Sequence, residues 1–88
     1  MNKMAGQITE LDSVINSLNE IKGDITVPRN VRTRIDSIIF TLREDLELSI
    51  KANKVLNELE EISSDFNLQA YTRAQMWNII SSLERLQR

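Results

Sequence analysis

Eighty-eight residues make one small domain with a thin core, since a chain of this size buries roughly two thirds of its unfolded surface. With 41% hydrophobic and 27% charged residues, but 2 glycines and 1 proline, the chain is not disordered and lacks the turn residues that an all-β fold needs every 8–12 positions or so. A net charge of −2 weakens a nucleic-acid reading, and the absence of His and Cys removes the commonest general base, the thiol nucleophile and the usual zinc ligands.

The spacing of apolar residues predicts four helices separated by three short breaks. In the first, Met4, Ile8, Leu11, Ile15 and Leu18 recur at four- and three-residue steps, and Val14 and Ile21 widen the stripe. Gly23 is placed to end it as a C-cap. The break Asp24-Ile25-Thr26-Val27 leads to Pro28. Proline suits a first helical turn, where its missing N–H costs nothing, and Thr26 is the expected cap just before it. The second pattern is Val31, Ile35, Ile38, Ile39 and Leu42. Glu44-Asp45 closes it, with Asp45 available to cap the third helix. That helix runs through Leu48, Ala52, Val55, Leu56, Leu59 and Ile62 to Ser63-Ser64-Asp65. Asn67 then caps a fourth, which carries Thr72, Met76, Ile79, Ile80, Leu83 and Leu86. The expected fold is all-α, a single domain over residues 1–88. No window approaches the roughly 18 apolar residues of a membrane span. The opening Met1-Asn2-Lys3-Met4-Ala5-Gly6-Gln7 has no apolar signal-peptide segment. A cytoplasmic protein without membrane partner or cofactor is the resulting expectation.

The most informative feature is internal. Val14–Leu42 and Val55–Leu83 align without gaps over 29 positions at an offset of 41, and ten positions are identical. Chance would give about 2. Helical patterning alone could align Val14/Val55, Leu18/Leu59, Ile21/Ile62, Ile38/Ile79, Ile39/Ile80 and Leu42/Leu83. It would not also align Asn16/Asn57, Glu20/Glu61, Asp24/Asp65 and Arg32/Arg73. The chain therefore reads as two helix-turn-helix units, about residues 8–43 and 46–87. A 41-residue helix-pair period lies in the HEAT/armadillo range. The unit resembles a HEAT repeat, with Leu18, Asp24 and Val31-Arg32 in the first copy and Leu59, Asp65 and Thr72-Arg73 in the second. The eight-residue step from Asp to Arg is longer than is usual in HEAT.

The repeated polar residues have a structural reading. Asp24 and Asp65 sit between two helices, where a carboxylate accepts backbone N–H groups. Arg32 and Arg73 lie near the start of the next helix, an unfavourable place for a cation by dipole alone. A turn-locking ion pair with Asp24 and Asp65, or with Glu20 and Glu61, would offset that. The functional alternative is an anion-binding arginine pair.

Two repeats are fewer than the three or so that a solenoid needs, so the chain must cap itself or find a partner. Off-stripe apolar residues mark candidate contact points. Phe40 lies ~150° from the centre of its helical stripe and Trp77 ~110° from its own. Their repeat equivalents are Ser81 and Asp36. Tyr71 and Ile50 are off-stripe as well. Aromatics that break the internal symmetry fill gaps around the other repeat, or they anchor a homo-oligomer or protein partner.

Chemistry is otherwise sparse. There is no Walker loop, GxGxxG, HExxH, GxSxG or EF-hand pattern. Glu44/Asp45/Glu47 and Glu58/Glu60/Glu61 read as solvated faces and caps rather than a cation site. Arg29, Arg32 and Arg34, with Arg43, Lys51 and Lys54, are the only basis for a nucleic-acid alternative, and no aromatic platform is interleaved with them. No enzyme activity is expected, and no catalytic, cofactor or metal residue is nominated.

Asp24-Ile-Thr-Val-Pro-Arg-Asn-Val-Arg32, Asn57-Glu-Leu-Glu-Glu-Ile-Ser-Ser-Asp65 and Trp77-Asn-Ile-Ile-Ser-Ser-Leu83 together resemble the small archaeal family catalogued as uncharacterised protein family number 0147. The resemblance covers Ile15 to Leu86. Members usually carry a proline in the second turn as well, where this chain has Gln69 or its neighbour instead. The resemblance implies an all-helical, cytoplasmic archaeal protein with no assigned activity and no known catalytic residues.

Overall fold

The backbone of residues 3–87 and the side chains of residues 10–87 are described by a computed structural model. They form four helices, α1 (Lys3–Lys22), α2 (Arg29–Leu42), α3 (Leu48–Ser63) and α4 (Ala70–Leu86), with no strand among the described residues. The stripes anticipated from sequence are the buried faces. Val31, Ile35, Ile38, Ile39 and Leu42 of α2 and Thr72, Met76, Ile79, Ile80 and Leu83 of α4 are all buried. So are Val14, Ile15, Leu18 and Ile21 of α1, and Val55, Leu56, Leu59 and Ile62 of α3. The Met4 and Ile8 side chains lie outside the described residues. No helix among the described residues is long and apolar enough to cross a membrane.

Short connections make consecutive helices antiparallel neighbours. Each helix packs on the next, and α4 returns to pack on α1. Among the described residues, α1 does not meet α3, nor does α2 meet α4. The result is a closed up-down-up-down bundle, 40 × 20 × 19 Å, whose length fits a 20-residue α1 of about 30 Å plus a turn at each end. The helix contacts differ from those of a HEAT stack. A HEAT stack lays like helices side by side and leaves two open ends. Here the like helices, α1 and α3 or α2 and α4, lie across the diagonal. Two hairpins have no third to stack on, so they bury their apolar faces against each other and close the ring.

The two α–turn–α connections share their bonding. Asp24 N–H donates to the Ile21 carbonyl and Val27 N–H to that of Asp24, at 3.1 and 3.0 Å. Asp65 and Leu68 repeat this at 3.0 and 3.2 Å. Val27 and Leu68 tuck into the core beneath their turns. Gly23 does not take the left-handed conformation of a glycine C-cap, since no glycine has positive φ among the described residues. Its repeat equivalent Ser64 caps α3 at φ −90°, ψ 1°. The N-caps are also not the expected ones. Pro28 (φ −57°, ψ 148°) and Gln69 (φ −67°, ψ 153°) precede α2 and α4, Glu47 precedes α3, and none supplies a side-chain cap. Thr26 and Asn67 serve inside the turns instead.

Candidate interaction surface

The repeated carboxylates organise the turns. Asp24 Oδ1 accepts from Thr26 N–H at 2.9 Å and from Thr26 Oγ1 at 2.7 Å. Asp65 Oδ1 accepts from Asn67 N–H at 2.8 Å. Both are Asx-turns, in which a short carboxylate mimics a backbone turn. The Thr26 backbone N–H, then its hydroxyl, holds the Asp24 carboxyl below its ordinary pKa.

The arginines do not pair with these carboxylates. Among the described residues, neither Arg32 nor Arg73 forms an ion pair. Arg73 Nη2 donates to the Leu68 carbonyl at 3.2 Å. The Nε of each is buried without a partner. One oxygen of each Asp is engaged by its own turn's donors, and Arg73 bonds a turn carbonyl instead. Apart from Glu61, the cross-helix ion pairs are made by residues the repeat does not share. Lys22 Nζ meets Asp36 at 2.8 Å between α1 and α2. Arg34 spans α2 to α3, reaching Glu61 at 2.8 Å and Glu58 at 3.3 Å. Arg85 meets Glu10 at 2.7 Å between α4 and α1. The Glu61 hydrogen bond, ahead of the Glu58 contacts, raises the Arg34 pKa further. All these pairs are partly or largely exposed, so each contributes about 1 kcal/mol or less.

This arrangement dissolves the basic cluster. Of Arg29, Arg32 and Arg34, the last is neutralised by two glutamates and the second has its Nε buried, so Arg29 is the one exposed member. Lys51 is buried, with Nζ donating to the Glu44 carbonyl at 3.2 Å beyond the end of α2. That position favours a cation near a helix C-terminus. Lys54 lies 3.8 Å from Glu44. No group of three carboxylates among the described residues gathers closely enough to hold a metal ion.

Phe40, Ile50, Tyr71 and Trp77 are all exposed, but they do not form one patch. Phe40 is on α2, at the rim of an open cleft of about 430 Å³ between α1 and α2. Ile50 is on the first turn of α3. Tyr71 and Trp77 share α4, yet six residues at 100° each put them ~120° apart on opposite flanks.

Two residues not singled out from sequence are more exposed than any of these. Ile25 is 89% and Phe66 is 94% exposed. They are repeat equivalents, each at the middle of its Asx-turn. In an up-down-up-down bundle the α1–α2 and α3–α4 turns lie at the same end, so both tips project from one face. Tyr71, in the first turn of α4, stands at that end too. The alignment of the two halves carries the signal: the residue after each Asp is large and apolar, in a turn where polar residues are usual.

The profile of the uncharacterised protein family UPF0147 matches residues 1–86. A UPF0147 protein of Archaeoglobus fulgidus is 41% identical over 76 residues, covering 86% of this chain and 87% of its own. One from Methanocaldococcus jannaschii is 39% identical over 77 residues, 86% of this chain and 83% of its own. One from Thermoplasma acidophilum is 38% identical over 76 residues, 85% and 86% of the two chains. No solved structure matches.

Proposed function

The chain belongs to the uncharacterised protein family UPF0147, and on that premise we propose that it is a non-enzymatic helical module that binds a protein surface through the hairpin-turn end of its bundle. The observation that carries this is the exposure of Ile25 and Phe66 at equivalent places in the two turns. One bare apolar side chain on a surface is ordinary. A matched pair on one end face, with Tyr71 beside them, supplies aromatic and aliphatic anchors of the kind that dominate interfaces. The absence of His and Cys from the sequence supports the non-enzymatic part. The engagement of Arg34, Lys51 and Lys54 within the bundle favours a protein partner over nucleic acid. The Phe40, Ile50 and Trp77 faces are separate surfaces in this reading, and Tyr71 alone belongs to the end face.

A photo-crosslinking amino acid placed at position 66, at 25 and, as a control, at exposed Ser81 tests the proposal in native-like cell extract. Protein adducts are expected from 66 and 25 and not from 81. Absence of adducts from both turn positions would overturn it.

A further inference from the structure

We infer that α1 is a detachable helix: the closed bundle opens along the α1–α4 seam by release of α1, while α2, α3 and α4 stay packed together. The duplication allows a like-for-like comparison, because the α1–α4 seam is the repeat equivalent of the α2–α3 seam. Across α2–α3, Arg34 bridges to Glu58 at 3.3 Å and to Glu61 at 2.8 Å. The equivalents of these three residues are Gln75, Ser17 and Glu20. Ser17 and Gln75 line an open groove of about 250 Å³ between α1 and α4, with Ser13, Asn78 and Ser82 along it. Among the described residues, the side-chain tie between these two helices is Arg85 to Glu10, beyond the groove at the far end of the seam. Where one seam carries a bridge at its middle, the other carries a gap.

α1 is also the weaker of the two equivalent helices. It carries Ser13, Ile15, Ser17 and Asn19 where α3 carries Lys54, Leu56, Glu58 and Glu60. Straight-chain Lys and Glu, and Leu, keep their rotamers in a helix. Ser and Asn compete for backbone hydrogen bonds, and β-branched Ile loses χ1 freedom. The Lys22–Asp36 pair ties α1 to α2, but both partners are exposed, so it adds little. Sub-global opening starts where local support is lowest, and elements that move between states are drawn from that end of the stability range. Release uncovers the stripe of Val14, Ile15, Leu18 and Ile21, now buried, together with the slot it fills. This device stands independently of the hairpin-turn end.

Native-state hydrogen exchange of the full chain tests this. Corrected for intrinsic rates, the amides of residues 14–21 should be at least about tenfold less protected than those of residues 55–62. Two double variants locate the seam, and none of their four positions is buried, so both should fold. Gln75→Arg with Ser17→Glu transplants the α2–α3 bridge onto α1–α4. It should raise α1 protection about three- to fivefold, the range of an exposed ion pair. Arg34→Gln with Glu58→Ser removes the bridge from α2–α3. That bridge survives release of α1 but not global unfolding. The α3 amides should therefore lose protection about three- to fivefold while those of α1 keep theirs. Equal protection of α1 and α3 in the wild type would overturn the inference without either variant. So would no gain in α1 from the transplant, or a parallel loss in both helices when the α2–α3 bridge is removed.

Discussion

Leu18 and Leu59 offer a quantitative test of the bundle's two-fold construction. They are repeat equivalents on α1 and α3, on opposite corners of the ring, and both are fully buried. Replacing either with Ala removes three carbons. At about 0.8 kcal/mol each, the lost transfer energy is about 2.4 kcal/mol. A residual cavity of about 50 Å³ would add about 1.2 kcal/mol at roughly 24 cal/mol per Å³. Each substitution should therefore cost about 3.5 kcal/mol. A domain of this length has about 4–13 kcal/mol in all, so either variant stands near the edge of stability. At roughly 4–8 °C per kcal/mol for this size, the melting temperature should fall by about 14–28 °C. Urea titrations followed by far-UV circular dichroism, with a common m-value, measure both variants on one scale. The symmetric core requires the two losses to agree within about 1 kcal/mol. A cost below about 1 kcal/mol at either site, or a difference above about 1.5 kcal/mol between them, would refute the equivalence.

Other expectations follow from the turns. Gly23→Ala should stabilise by about 0.4–1 kcal/mol, since the backbone there does not need positive φ and an added Cβ meets only the Asn19 and Glu20 carbonyls at 3.5 and 3.7 Å. A loss in thermal melts would show that the glycine is required. Gln69→Pro should raise the melting temperature for the same entropic reason, because Gln69 already holds φ −67° and Pro28 occupies the matching place; a clear drop would mean that the second turn differs from the first. Asp24→Asn keeps the Oδ1 acceptor but removes the titration. The wild-type carboxyl has a lowered folded pKa, so its contribution is present above the unfolded value and is lost as pH falls through the folded one. Melting curves of wild type and Asp24→Asn should thus converge on acidification from about pH 6 to pH 2. Parallel curves would rule out the Asx-turn as the cause.

Much of the bundle is legible in the chain because its information is local. A helical stripe repeats every 3.6 residues, so Val31, Ile35, Ile38, Ile39 and Leu42 announce a buried face wherever that face ends up. The offset of 41 likewise marks Asp24 and Asp65 as turn residues, and their Asx bonds span two positions. Off-stripe position alone also marks Phe40, Ile50, Tyr71 and Trp77 as surface residues. What the chain does not encode locally is which faces meet. The pairing of Arg34 with Glu58 and Glu61 joins residues 24 and 27 positions apart. It depends on α3 lying beside α2, and no helical period encodes that. Cap identities differ from expectation because a cap is set by where the backbone leaves the helix, not by which residue has a suitable side chain. Whether two hairpins stack in a row or close into a ring is decided by how much apolar surface each arrangement leaves in water. That quantity belongs to the assembled bundle. Only there do Ile25 and Phe66, far apart in the chain, become two tips of one face.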